Sequence, residues 1–181
     1  MKSPFESQRT HFDYCRYRDA GQIRRMHTYP KPHYPYTVSQ HCYNAVTLLF
    51  LLHPSPSYDL IKTVLWHDSA ELMLGDVPAP AKATNPALAE AYEAAEQEVE
   101  RRSFPHLTRA KQRLTIEELA WLEIVDRLEF LLWVYEQDDR ELQSSTWSGF
   151  EKLLEKTYFA STLPRSHLEE IREFAANIRP S

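Results

Sequence analysis

The chain has 181 residues, 43% of them hydrophobic and 26% charged, with a net charge of −5. These values suit one globular domain whose core needs neither disulfides nor a structural metal, and they argue against a disordered chain. Charges of both signs interleave without a basic stripe, which argues against a nucleic-acid polymer as partner. No apolar run reaches membrane-spanning length, the opening segment has no apolar stretch, and the two cysteines, Cys15 and Cys42, lack CxxC spacing, so the expected location is the cytoplasm.

Apolar residues recur mostly at three and four positions and no segment alternates over strand length, which predicts an all-α fold. A short helix is expected over Arg18 to His27, then a proline- and tyrosine-rich loop from Thr28 to Tyr36. Thr37-Val38-Ser39-Gln40 has capping-box form and opens a helix to about His53. The next helix covers about Ser57 to Leu74 and stops at Gly75, and Asp76 to Lys82 forms a proline-stiffened turn. Asn85-Pro86 caps an alanine-rich, charged helix to about Arg102. The capping box Thr115-Ile116-Glu117-Glu118 opens a long apolar helix to about Asp138. Two more helices are expected near Thr146 to Tyr158 and Ser166 to Ile178, the second opened by Ser166-His167-Leu168-Glu169. With no repeat and no linker, the reading is a single helical-bundle domain over 1–181, with a motif core at 24–126 and C-terminal helices at 146–178 packing on it.

Four residues of metal-binding type interrupt stretches that otherwise read as core. His41 shares a helical stripe with Val38, Ala45, Leu48 and Leu52. Asp68 falls on the apolar side marked by Ile61, Val64, Leu65 and Leu72, with His67 beside it. Asp126 sits in Ala120 to Trp133, which is apolar round most of its circumference. A buried carboxylate needs a cation, either an arginine or a metal. Taken singly, a histidine on such a stripe is more often a core residue bonded to backbone, and a His-Asp dipeptide means little. One divalent ion would compensate all four together, and two imidazoles with two carboxylates suit it.

A second cluster follows. Glu71 lies four residues after His67 and three after Asp68, on adjoining helix surface. A carboxylate there is placed to manage the proton of an activated water. Lys82 follows the stiffened turn and can be aimed at a phosphate with little entropic cost. Arg25 offers a bidentate fork and Arg24 a substitute for it. The tyrosines of the 29–36 loop read as bracing the loop in preference to stacking on a base.

These residues carry a resemblance. His41…His67-Asp68…Asp126 resembles the H…HD…D signature of HD-domain metal-dependent phosphohydrolases. Trp66 to Lys82 resembles the HDxxE…GDxPxPxK segment of bacterial 5′-deoxynucleotidases, shared with phage deoxynucleoside-triphosphate hydrolases. Arg24 to Thr28 followed by Thr37 to His41 is similar to the family's arginine-tryptophan-histidine…TVAEH stretch. The resemblance implies an HD-domain bundle in which His41, His67, Asp68 and Asp126 hold one divalent ion (Co, Mn, Zn or Mg). It implies Glu71 and Asp68 as catalytic residues, and substrate contacts from Arg25, Met26, Asp76, Lys82 and Arg24, with Asp76 on the sugar 3′-hydroxyl. Met26 departs from the family's tryptophan, a residue that helps exclude ribonucleotides, and Gln40 departs from a glutamate.

The implied activity is hydrolysis of 2′-deoxynucleotides, with 5′-deoxynucleotidase action on monophosphates first. The placed cations, Arg25 and Lys82, are few for a triphosphate, so triphosphate release is the second reading. A non-catalytic nucleotide-sensing module of the same frame is the alternative of another class; the complete motif argues against it. By resemblance a homo-oligomer, dimer or larger, is expected.

Overall fold

A computed structural model describes residues 4–27, 29, 35–77, 79–137, 139–160 and 162–178, leaving aside the side chains of 4–9, 79, 80 and 83. The fold is all-α. Its helices are α1 (Pro4–Ala20), α2 (Val38–Leu52), α3 (Tyr58–Trp66), α4 (Glu71–Leu74), α5 (Ala79–Thr84), α6 (Pro86–Ser103), α7 (Pro105–Lys111), α8 (Ile116–Tyr135), α9 (Arg140–Phe159) and α10 (Arg165–Ile178). Among the described residues, extended pairing is confined to an isolated antiparallel bridge between Arg24 and Thr37. No helix among them is long and apolar enough to cross a membrane. Chain contacts divide the molecule into two compact units, residues 1–42 with 66–112 and residues 43–65 with 113–181.

In the first unit α6 packs against α4, α5 and α7, while α1 packs against α4. Tyr17 anchors α1: its ring stacks on Trp66 at 4.4 Å between centroids and meets the Phe104 edge at 5.2 Å. The Tyr17 hydroxyl accepts the Leu107 N–H at 3.2 Å, and burial pushes its pKa up to about 12, so the phenol stays neutral. Such anchoring holds a helix that has little amphipathic pattern of its own, and α1 is therefore longer and earlier than the expected 18–27 segment.

The second unit is organised on α8. Trp121, Ile124, Val125, Leu128 and Leu131 are buried and pack with Leu49, Leu60 and Val64 and with Phe150, Leu154, Leu168 and Ile171. Each large apolar side chain removed from water contributes about 1.5–3 kcal/mol, which is why so uniformly apolar a helix lies at the centre. Its buried Glu129 accepts a hydrogen bond from Asn44 Nδ2 at 3.1 Å.

Several boundaries differ from the sequence reading. The expected 57–74 helix is broken into α3 and α4 by a turn at residues 67–70. Lys82 lies on the short helix α5 instead of in an open turn. α7 was not anticipated, because Pro105 reads as a stop although proline also suits the first helical turn. α9 starts six residues before Thr146, since the Asp139 side chain caps it by accepting from Leu142 N–H. α10 starts at Arg165, and Glu169 pairs with Arg165 at 2.7 Å instead of closing a box on Ser166. The Thr115–Glu118 and Thr37–Gln40 boxes and the Asn85 cap form as read. Of the 28–36 loop, Thr28 and residues 30–34 lie outside the described residues, as does Pro78.

Candidate active site

The turn at 67–70 builds the site. Ser69, Glu71 and Met73 donate backbone hydrogen bonds to the carbonyls of Trp66, Asp68 and Ala70 at 2.9, 3.1 and 3.0 Å. This i-to-i+3 pattern tightens the chain to three residues per turn and eclipses positions i and i+3. Asp68 and Glu71 thus project to one side. Arg25 meets them both there: its Nη1 is hydrogen-bonded to Asp68 Oδ2 and lies 3.6 Å from Glu71 Oε1. At Gly75, φ is +76°, which lets the backbone turn out of α4 while its N–H still reaches the Glu71 carbonyl at 2.8 Å.

Three donor atoms converge beside this pair. His41 Nε2 and His67 Nε2 are 3.1 Å apart, and Asp68 Oδ2 lies 3.5 Å from the first and 3.3 Å from the second. Bonds of about 2.0–2.1 Å to a tetrahedral or octahedral ion would set neighbouring ligand atoms roughly 3.0–3.4 Å apart. The observed triangle therefore fits a divalent cation, and two imidazoles with one carboxylate are a suitable donor set. His41 is wholly buried.

The outer partners of the imidazoles were missed by sequence reasoning. Tyr36, buried in the first unit, sets its hydroxyl 3.1 Å from His41 Nδ1, and Cys42 Sγ lies 3.9 Å from His67 Nδ1. With Nδ1–H donating to these groups, each Nε2 presents its lone pair to the donor triangle, the usual orienting role of such contacts. Tyr36 belongs to the tyrosine-rich loop, and its burial agrees with a bracing role. Its partner was not legible, because a tyrosine five residues before a histidine carries no motif. Tyr36→Phe is expected to keep the fold and weaken divalent-ion affinity by about 10- to 100-fold, as read by metal titration of the purified protein.

The substrate-facing candidates lie around this centre. Asp76 Oδ2 accepts the Met26 N–H at 2.8 Å and is 3.8 Å from His27 Nδ1. Met26 has φ of +51°, a left-handed conformation that costs a non-glycine residue about 1–2 kcal/mol, and the Asp76 hydrogen bond holds it there. Lys82 sets its ammonium 4.8 Å from the Tyr92 ring centroid. Arg24 is exposed, with its backbone in the bridge to Thr37. Arg25 also lies over the Tyr36 ring, 5.7 Å from its centroid.

Glu71 is 7% exposed, and its Oε2 is buried with no hydrogen-bond partner. Burial pushes its pKa up to about 7 against the opposing pull of Arg25. Two groups on α6, the helix that the sequence marks only as alanine-rich and charged, border the same region. The Tyr92 hydroxyl donates to the Gly75 carbonyl at 2.8 Å. Burial raises the Glu96 carboxyl, with Lys111, Lys82 and His67 opposing the rise and Glu100 adding to it. The available signal was that Tyr92 is the single aromatic in an alanine- and glutamate-rich helix. Asp126 is half-buried on α8 and belongs to the second unit.

Residues 37–181 match the family described as 5′-deoxynucleotidase YfbR-like. The chain belongs to that family. Among solved structures it is similar to the cyanophage S-2L HD phosphohydrolase DatZ, determined with dA and one catalytic Zn2+ ion. That likeness has a TM-score of 0.73 at 18% identity, over 92% of this chain and 96% of that one. It is also similar to the PH0347 protein of Pyrococcus horikoshii OT3, with a TM-score of 0.62 at 18% identity over 92% of this chain and 98% of that one. These likenesses show the HD-domain helical fold. No curated protein matches the sequence.

Proposed function

We propose that the protein is a metal-dependent phosphohydrolase of 2′-deoxynucleotides whose reaction is the 5′-deoxynucleotidase one, monophosphate to deoxynucleoside and phosphate. The observation that carries this is the convergence of His41 Nε2, His67 Nε2 and Asp68 Oδ2 beside the buried Glu71, in a member of the YfbR-like family. DatZ, of similar fold, is described with dA and a catalytic Zn2+ ion.

In this reading His41, His67 and Asp68 hold one divalent ion, and Asp126 is its fourth ligand on the strength of the sequence motif alone. Bound there, the ion supplies Lewis acidity, polarising a phosphoryl oxygen and acidifying water beside it. Glu71 takes the proton from the attacking water through Oε2, which no protein group occupies. Arg25 pairs with Asp68 and lies 3.6 Å from Glu71 in the structure. With Asp68 engaged as a ligand, the Arg25 guanidinium would be free to grip the phosphate as a fork, with Lys82 as a point charge and Arg24 in reserve. Asp76 retains acceptor capacity beyond the Met26 N–H and receives the sugar 3′-hydroxyl. The Met26 side chain borders the sugar, where a thioether excludes a 2′-hydroxyl less strictly than a flat indole.

Triphosphate hydrolysis is the second reading. The two cations assigned to phosphate, Arg25 and Lys82, suit one phosphate better than three. A cytoplasmic location, a homo-oligomeric assembly and a single functional domain over 1–181 are parts of the same proposal.

The test is a panel of deoxy- and ribonucleoside mono- and triphosphates, read by the phosphate species released. Orthophosphate from deoxynucleoside monophosphates is the expected result, with ribonucleotides turned over at a measurable fraction of that rate. Inorganic triphosphate from a deoxynucleoside triphosphate, with no monophosphate hydrolysis, would replace the first reading by the second.

A further inference from the structure

The helices that deliver Glu71 and Lys82 are short, four and six residues, and neither is stable alone. Both pack on α6, a capped helix of 18 residues. One α6 side chain touches what each of them carries. The Tyr92 ring lies under the Lys82 ammonium, and its hydroxyl donates to the carbonyl of Gly75, the residue between α4 and Asp76. Burial and the negative field of Glu71 raise the Tyr92 phenol well above its ordinary value, so the hydroxyl stays a neutral donor. Glu96, one turn along α6 on the same face, lies in the field of Lys82.

We propose that Tyr92 is a positioning residue that sets the two ends of the substrate site separately: its ring carries the phosphate-binding Lys82, and its hydroxyl fixes the Gly75–Asp76 turn that meets the sugar. The inference rests on the deoxynucleotide phosphohydrolase reading. It divides one side chain into two separable functions. Tyr92→Phe keeps the ring under Lys82 and removes the bond to Gly75. Tyr92→Leu removes both. Cation–ring contacts and single hydrogen bonds of this kind are each worth several-fold in an equilibrium constant.

The experiment uses the full chain loaded with metal and the deoxynucleoside monophosphate that it hydrolyses fastest. Inhibition by orthophosphate reads the phosphate end; inhibition by the deoxynucleoside product reads the sugar end. Tyr92→Phe is expected to leave orthophosphate inhibition within about twofold of wild type and to weaken deoxynucleoside inhibition about fivefold. Tyr92→Leu is expected to weaken both by about fivefold, with one metal ion per chain retained in each variant. Wild-type inhibition by both probes in Tyr92→Phe and Tyr92→Leu overturns the inference, as does equal loss of both in Tyr92→Phe. If Tyr92→Leu fails to fold, the split in Tyr92→Phe decides alone. A wild-type protein that hydrolyses no deoxynucleotide fails the functional reading instead, and the inference falls with it.

Discussion

Asp68→Ala is expected to lose stoichiometric divalent-ion binding and to reduce turnover by at least about a thousandfold, since an ion's charge stabilisation is worth several kcal/mol and each 1.36 kcal/mol is tenfold. The reason is geometric. Asp68 Oδ2 is the corner of the donor triangle that carries negative charge, 3.5 Å from His41 Nε2 and 3.3 Å from His67 Nε2. Without it the converging cluster keeps only its two imidazoles, His41 and His67, and loses the carboxylate that offsets the cost of stripping water from a cation. Asp68→Asn preserves the shape and should behave in the same way. Thermal unfolding supplies an independent readout. Metal at about a hundred times its dissociation constant adds about 2.7 kcal/mol to the stability of a protein that binds it. For a chain of this size that raises Tm by about 5–10 °C. Wild type should show this rise and Asp68→Ala should not. A metal-dependent rise of equal size in the variant would remove Asp68 from the ligand set. Asp126→Ala, measured in the same way, tests the fourth ligand.

Glu71→Gln is expected to keep one ion per chain and lose about 10²- to 10⁴-fold in kcat, the usual worth of a general acid–base. Its carboxyl is held on the turn that orients Asp68, so metal affinity should move little while proton handling disappears. The metal-free protein offers a second test with a definite sign. Burial raises the folded pKa of Glu71 from 4.5 to about 7, so the folded state binds the proton more tightly than the unfolded state does. Stability therefore falls as pH rises through this interval and stays reduced above it. Glutamine removes that cost. Without metal, Glu71→Gln should melt a few degrees above wild type near pH 8 and close to it near pH 4.5. Undiminished turnover in the variant would sink the assigned role.

The fold was legible where caps and periodicity agreed. Thr115 and Glu118 close their box as written, and the uniformly apolar segment that follows is the centre of the second unit. Sequence reasoning failed where tertiary contact overrode local pattern. Nothing periodic marks α1, which is anchored by Tyr17 against Trp66 and Phe104. The apolar repeat runs unbroken through residues 57–74, yet the chain tightens to i-to-i+3 bonding at His67–Ala70. That break matters most for function, because it brings Asp68 and Glu71 to the same side.

The site was legible as a set of charged residues but not as a set of supports. His41, His67 and Asp68 stood out as polar groups on buried faces, and they converge. The resemblance assigns Arg25 to phosphate; the structure directs it at Asp68 and Glu71, because a half-buried and a buried carboxylate draw the nearest guanidinium. Tyr36, Cys42 and Tyr92 meet neighbours that are distant in sequence or unmarked by spacing. No motif encodes such contacts, and only coordinates bring them together.

The most direct test is phosphate release from deoxynucleoside monophosphates by protein stripped with chelator and reloaded stepwise with Mn, Co or Zn. Activity should be absent in stripped protein and rise in proportion to bound metal, saturating at one ion per chain. Full turnover in the stripped protein, or no phosphate release with one ion bound, would contradict the account.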